Sequence, residues 1–372
     1  MMTTARKKIL HAIRQGQVGG GETHVLDLVN SLDKVKYESV ILSFTEGPMV
    51  EKLKLAGFKT YVVSTEKPFN VSVWKEVKQI ISTEQIDLIH AHGTRANSNT
   101  FYSAKMLKIP LIYTVHGWSF HPDQSKIVKF IRSMSERFLV AVANKTICVS
   151  KSNLIEGKNK FPMSNATVIA NGINRFKFNP DKEFKNIRSE FGIDQHSILV
   201  GYIARITNQK SPLKFIKAIA VLPKKENVRF LIVGDGDLKI QMLALSKDLG
   251  LDKYITFVDF RSDIPDILSA IDVFCLPSLW EGLPIALLEA MSMRKAILAS
   301  KIDGITDLIE DGVNGLLVPP ADVESLATAL QSLILDKQLI QNLGAEAEKT
   351  VQEKFNISTM TKSIEAVYQE FI

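Results

Sequence analysis

The sequence predicts an α/β protein of two doubly wound domains in tandem. Three observations carry this reading. Short Val/Ile/Leu-rich runs alternate with helical stretches along the whole chain, 372 residues suffice for two domains, and a polar, Pro-bearing stretch, Asn174–Asp181, separates halves of similar design. Near-continuous apolar strands set between helices belong to parallel sheets covered on both faces. Ligands of such sheets sit beyond the carboxyl ends of the strands. The expected site is therefore the cleft between the domains, built from strand-to-helix loops.

In order, the first-half strands read Lys7–Arg14, Tyr37–Phe44, Lys59–Thr65, Asp87–His92, Leu111–His116, Lys145–Ser150 and Ala166–Asn171. Helical patterns fall at Glu22–Leu32, Val71–Ser82, Arg95–Leu107 and Lys126–Ala143. The second half repeats the scheme with Ile198–Ile206, Val228–Gly234, Ile255–Asp259, Val273–Pro277, Ala296–Ser300 and Gly315–Val318. Its helices include Leu213–Val221, Leu238–Leu249, Ile285–Met293 and Val323–Leu335. The expected domains are 1–178 and 179–355, with a C-terminal helix over about 356–372 returning to the first.

Composition narrows the class. A chain 45% hydrophobic and 23% charged is not intrinsically disordered. No apolar run approaches the ~18 residues of a spanning helix, and Arg6-Lys7-Lys8 is followed by too short an apolar stretch for a signal peptide. Two cysteines, Cys148 and Cys275, each inside an apolar run, exclude a disulfide framework and fit a reducing cytoplasm. Charge is uneven: residues 1–180 hold 25 basic and 13 acidic residues, a net +12, leaving −6 for the remainder. The first half is therefore expected to meet something anionic, a membrane surface or a phosphorylated acceptor, unless it is simply a solvated basic face. Nucleic acid is not expected, for want of any aromatic-basic platform, zinc finger or recognition helix.

Three loops carry the chemistry. Gly16-Gln17-Val18-Gly19-Gly20-Gly21-Glu22 follows the first strand and opens a helix, where glycines let backbone amides approach an anion. It is not a dinucleotide fingerprint, because the spacing is wrong and no acidic residue ends strand two; a tight packing turn explains it equally well. In Ala204–Pro212, Arg205 leaves a strand end and Lys210 precedes a helix with Ser211 as N-cap and Pro212 in its first turn. Two cations there make a diphosphate clamp, against the plainer reading of surface ion pairs. In Ser278–Ala290, Glu281 lies in the loop after a strand, Gly282 permits close approach, and Pro284 starts a helix that carries Glu289 among Ile285, Leu288 and Met291. Acceptor-only carboxylates suit vicinal hydroxyls, so two of them flanking a phosphate-binding helix suggest a sugar at one end and a ribose at the other.

Glu281 to Glu289 matches the Glu-x7-Glu motif of retaining GT-B glycosyltransferases, and the chain resembles their large family 4 nearly end to end. The resemblance also rests on Gly19-Gly20-Gly21-Glu22, Thr114-Val115-His116-Gly117, Cys148-Val149-Ser150, Asn171-Gly172-Ile173, Arg205 to Lys210, Val233-Gly234-Asp235-Gly236 and Asp311-Gly312-Val313-Asn314-Gly315. It implies the GT-B fold, two Rossmann-like domains facing each other across a cleft. It also implies a retaining, metal-independent hexosyltransferase with no cofactor. Arg205 and Lys210 would hold the donor diphosphate, Glu289 the ribose hydroxyls, and Glu281 the sugar hydroxyls, with the amides of Gly282, Leu283, Pro284 and Ile285 nearby (proline contributing only its place in the turn). His116 would reach the donor sugar, and Gly20 and Gly21 would pass close to the diphosphate. The donor would be a nucleotide-sugar, UDP before GDP. The acceptor would be a glycan or a polyprenyl-diphosphate-linked glycan for a surface polysaccharide, met in the cytoplasm or at the inner face of the cell membrane. Ser211 stands where glycine is common, Asn174 where aspartate is, and Thr306-Asp307 where Pro-Glu is usual.

Other signals receive plainer readings. Asp235-Gly236-Asp237 imitates a metal motif but reads as a turn and helix N-cap. His90-Ala91-His92 puts two imidazoles on one strand face, with no third ligand spaced to complete a zinc site. Lys126–Met134 is a basic amphipathic helix that either packs on its own sheet or docks on anionic lipid. Two rivals remain. A nicotinamide-dependent oxidoreductase leaves Lys210, Glu281 and Glu289 unexplained, and a non-catalytic GT-B binding protein would not need them.

Overall fold

Every strand pairing in the computed structural model is parallel, as near-continuous apolar strands require. The structure describes residues 6–16, 19–121, 123–223 and 225–372. Gln17 and Val18 of the first glycine loop lie outside the described residues.

The first half forms β1 (Lys7–Ile13), α1 (Gly20–Ser31), β2 (Tyr37–Ser43), α2 (Pro48–Leu55), β3 (Lys59–Val62), α3 (Val71–Glu84) and β4 (Leu88–His92). It continues with α4 (Thr94–Leu107), β5 (Leu111–Val115), α5 (Lys126–Val142), β6 (Lys145–Cys148), α6 (Lys151–Lys158) and β7 (Ala166–Val168). The sheet order is β3-β2-β1-β4-β5-β6-β7. Its order reverses between β1 and β4, which run in register with His11 beside His90 and Ile13 beside His92.

The second half forms α7 (Ile187–Glu190), β8 (Ile198–Ile203), a 3-10 turn at Asn208–Lys210, α8 (Pro212–Val221), β9 (Val228–Val233), α9 (Lys239–Asp248) and β10 (Ile255–Val258). There follow α10 (Ile264–Ala270), β11 (Val273–Leu276), α11 (Ile285–Ser292), β12 (Ala296–Ser300), β13 (Leu316–Val318), α12 (Val323–Leu335) and α13 (Lys337–Lys354). The sheet order β10-β9-β8-β11-β12-β13 reverses between β8 and β11. Val200, Tyr202, Phe215, Phe230, Ile232 and Leu298 are among the buried residues of its core.

The last helix, α14 (Ile357–Gln369), belongs to the first unit. Its Met360, Ile364, Val367 and Tyr368 pack with Ile9, Leu28, Leu88 and Ile112. The units divide at Gly172/Ile173 and Asn356/Ile357, where the sequence reading sets the boundaries near 178 and 355. The stretch just after Gly172 has tertiary partners in the second unit. Phe178 is buried and its carbonyl accepts from Ser292 Oγ at 2.7 Å. Among the described residues, no helix is long and apolar enough to cross a membrane.

Candidate functional site

A reversal in strand order opens a crevice where the flanking loops leave in opposite directions, and each sheet has one. In the second unit the crevice is framed by the loops after β8 and β11, which contain Arg205–Ser211 and Ser278–Pro284. Backbone and side chain join them: Leu279 N donates to Gln209 O at 2.8 Å, and Gln209 Nε2 to Trp280 O at 2.9 Å. Lys210 Nζ is paired with Glu281 Oε1, and Ser278 Oγ donates to the same oxygen at 2.7 Å. Both charges are largely withdrawn from water, the side chains being 15% and 7% exposed. Arg205 is exposed and makes no ion pair with any described residue, so its guanidinium is available to an anion.

Pro284 is the N-cap of α11, so the amides of the first helical turn open toward this loop. Leu283, Pro284 and Ile285 are buried, Gly282 is half-buried, and Glu289 is half-buried beside the buried Leu288 and Ala290. Structure thus brings Arg205, Lys210, Glu281, Gly282 and the α11 terminus to one end of one sheet.

Of two N-cap readings, one holds in position and the other is corrected. Ser211 occupies the N-cap position of α8 but caps nothing with its side chain; its φ of 54° lies in the left-handed region, which explains why glycine suits this place. Asp237 does not cap α9, whose N-cap is Leu238. The Gly234-Asp235-Gly236 turn instead packs on the loop after β8. A Cβ on Gly234 would lie 2.0 Å from Ala204 O, and Ile206 N donates to Asp235 O at 2.8 Å. Gly304 was not singled out in the sequence. Its φ is +80°, and a Cβ there would lie 1.9 Å from Gly282 O, so it supports the Glu281–Gly282 loop directly.

In the first unit, α1 starts at Gly20, which is exposed, with Gly19 as an extended N-cap. His116, half-buried just after β5, lies over this terminus; a Cβ on Gly21 would meet its ring at 3.4 Å. Burial and the Arg14 charge hold the His116 imidazole well below its usual pKa, in the neutral form.

His90 and His92, for which sequence spacing suggests no third ligand, have further imidazoles as neighbours in the fold. His11 and His90 come together with His92 as one group, and His24 and His116 with His92 as another, each offering nitrogens within 4.8 Å of one another. Spacing could not reveal this, because β1, α1, β4 and the residue after β5 supply them separately.

Helix α5 buries Leu139 and Val140 near its C-terminal end but leaves much of its apolar surface outside. Ile127, Phe130, Ile131, Met134 and Phe138 are exposed, while Glu136 is fully buried. Glu136 accepts from Thr94 Oγ1 at 2.7 Å and Tyr113 OH at 2.8 Å, and burial raises its pKa.

Residues 18–175 match the family model described as Glycosyltransferase Family 4, and residues 183–350 that described as Glycosyl transferases group 1. The chain is 27% identical to the UDP-Gal:alpha-D-GlcNAc-diphosphoundecaprenol alpha-1,3-galactosyltransferase of Escherichia coli, with 100% of this chain and 98% of that one covered. It is also 27% identical, over 84% of this chain and 86% of the other, to the N,N'-diacetylbacillosaminyl-diphospho-undecaprenol alpha-1,3-N-acetylgalactosaminyltransferase of Campylobacter jejuni. Among solved structures it is similar to HepE of Anabaena, in complex with UDP and glucose, at a TM-score of 0.86 and 23% identity, covering 98% of this chain and 100% of that one. This likeness assigns the GT-B fold of two Rossmann-like domains.

Proposed function

The chain belongs to the glycosyltransferase family that these two domain models describe, and we propose that it moves a hexose or N-acetylhexosamine from a UDP-sugar to a lipid-linked glycan with retention of configuration. The observation that carries the donor side is the joined pair of loops at the β8/β11 crevice, with exposed Arg205 in the same loop as Lys210, the Lys210–Glu281 pair, and the α11 terminus. The uridine donor is supported by the Escherichia coli relative's name and the UDP held by HepE. The diphosphoundecaprenol acceptors named for both curated relatives support a polyprenyl-diphosphate-linked acceptor.

On this reading the bond from the anomeric carbon to the diphosphate oxygen breaks and a bond to an acceptor hydroxyl oxygen forms on the same face. The acceptor proton passes to the departing phosphate oxygen. Arg205 and Lys210 stabilise the charge that develops there, which is the service a metal gives in other enzymes, so the transfer needs none. Lysine has three donor protons, so Lys210 can keep Glu281 and still reach phosphate. Glu281 holds sugar hydroxyls, Glu289 the ribose hydroxyls, and His116 is a further sugar contact.

The acceptor's membrane is also the proposed partner of α5. Its exposed apolar residues alternate with Lys126, Lys129, Arg132 and Arg137 on a first half of net charge +12. This supports peripheral attachment to anionic lipid at the inner face of the cell membrane.

The test is transfer from UDP-galactose, UDP-N-acetylgalactosamine and UDP-glucose to a short polyprenyl-diphosphate sugar in EDTA, with the product anomer read by NMR. An α-linked product from an α-linked donor, undiminished by chelator, is expected. An inverted product, or activity that returns only with added metal, would overturn the mechanism.

A further inference from the structure

Five imidazoles gather at the carboxyl ends of β1, β4 and β5 and the first turns of α1, in an interior that offers them few partners. A neutral imidazole has one donor and one acceptor nitrogen to satisfy. His90 satisfies both, with Nδ1 2.6 Å from Tyr368 OH and Nε2 2.7 Å from Thr114 Oγ1. His92 does not. The polar neighbour of His24 is Asn171, and among the described residues Nε2 of His92 has no hydrogen-bond partner. His24 and His92 are buried, so water does not compensate freely.

The rings are also close enough to share a ligand. His92 Nδ1 and His116 Nε2 share a hydrogen bond at 3.4 Å, a spacing that is also about that of two nitrogens on one tetrahedral ion with bonds of ~2.0–2.1 Å. The His24 ring centroid is 4.8 Å from that of His116 and 5.6 Å from that of His92. Burial keeps all three imidazoles in the neutral form that donates a lone pair. His116, only half-buried, gives the group an opening to solvent. The charged neighbour Arg14 is offset by its ion pair with the buried Glu22 at 3.4 Å. The alternative group, with His11 and His90, is poorer because both His90 nitrogens are already engaged.

We propose that His24, His92 and His116 form a binding site for a divalent transition-metal ion of the zinc class, each giving one imidazole nitrogen and leaving a fourth position to solvent. The site lies in the first unit and is separate from the donor chemistry assigned to Arg205 and Lys210. Occupancy would take His116 from the sugar contact proposed above; that consequence rests on the functional reading, whereas metal binding does not.

The test is titration of the metal-stripped full chain with cobalt and zinc. One equivalent of cobalt is expected, with the visible absorption of a four-coordinate ion. His24→Ala and His92→Ala should each weaken binding about tenfold or more, and His196→Ala, at an exposed position in the second unit, should leave it unchanged. Zinc-edge X-ray absorption of the loaded wild type should show about three imidazole nitrogens near 2.0–2.1 Å, and it decides the matter if a variant fails to fold. No stoichiometric uptake, sulfur ligation, or binding unaltered in His24→Ala/His92→Ala would overturn the site.

Discussion

Lys210 and Glu281 form an ion pair across the point where the second sheet reverses its order, and both side chains are mostly shielded from solvent. Lys210→Ala would leave the Glu281 carboxylate held, among the described residues, by Ser278 and Gln209, so the second unit should lose about 3–5 kcal/mol. Turnover should fall about 10²–10³-fold with the charge stabilisation. Lys210→Met/Glu281→Leu should recover most of the stability, followed by Trp280 fluorescence in urea, and none of the activity. Wild-type turnover in Lys210→Ala would remove the lysine from the site.

Gly21 separates a packing role from a binding role. Its place in the second position of α1 tolerates a Cβ, which would meet the His116 ring only at van der Waals distance. Gly21→Ala should therefore raise stability by about 0.5–1 kcal/mol. If the donor diphosphate passes here, its KM should rise about tenfold, equivalent to about 1.4 kcal/mol. An unchanged KM would place the diphosphate elsewhere.

Helix α5 predicts a surface effect with no folding cost. Ile127 and Phe130 are 74% and 67% exposed, so Ile127→Glu/Phe130→Glu should change stability by no more than about 0.5 kcal/mol per site. Sedimentation with phosphatidylglycerol vesicles should drop sharply for the variant, and binding by the wild type should weaken with salt. Equal sedimentation of both proteins would exclude α5 as the docking face.

The buried histidines set the acid limit of the first unit. Burial lowers the pKa of His11 to about 3 and of His24 to about 4, from 6.5. Between those values the unfolded chain binds protons that the folded chain refuses, so stability falls as pH drops below about 6.5. The slope should be about 1.4 kcal/mol per pH unit for each such histidine, levelling only below the folded pKa. In EDTA, unfolding read by Trp74 and Trp118 should move to lower urea between pH 7 and 5. A flat profile would mean the imidazoles reach water.

The strands, their parallel pairing and the loops after β8 and β11 were legible in the sequence because each rests on local chemistry: an apolar run, a glycine turn, a carboxylate at a fixed distance along one helix. What depends on facing was not. Periodicity shows that α5 has an apolar side but not that Ile127, Phe130, Ile131 and Met134 stay outside while Glu136 is drawn in, beside Leu139 and Val140, by Thr94 and Tyr113. The imidazoles that join His90 and His92 come from other elements, His11 from β1 through sheet register, His24 from α1 and His116 from just after β5. Gly304 looked like any turn glycine until its neighbour proved to be the carbonyl of Gly282. Helices α2, α6, α7, α10 and α13 were not among those read from the sequence. In α13 the buried set includes Gly344 and Glu348 among Ile340, Leu343 and Val351, which blurs the apolar stripe.

Because α14 completes the first unit, the order of synthesis and the order of completion differ. The second unit is one continuous stretch, Ile173–Asn356, and all of it leaves the ribosome before the residues that finish the first. Until then the sheet that begins the chain lacks Tyr368, and His90 lacks the hydroxyl that holds its Nδ1. The domain begun first is thus the last to close, and a nascent chain stopped short of Ile357 carries a finished second half and an open first one, a natural substrate for chaperones and proteases.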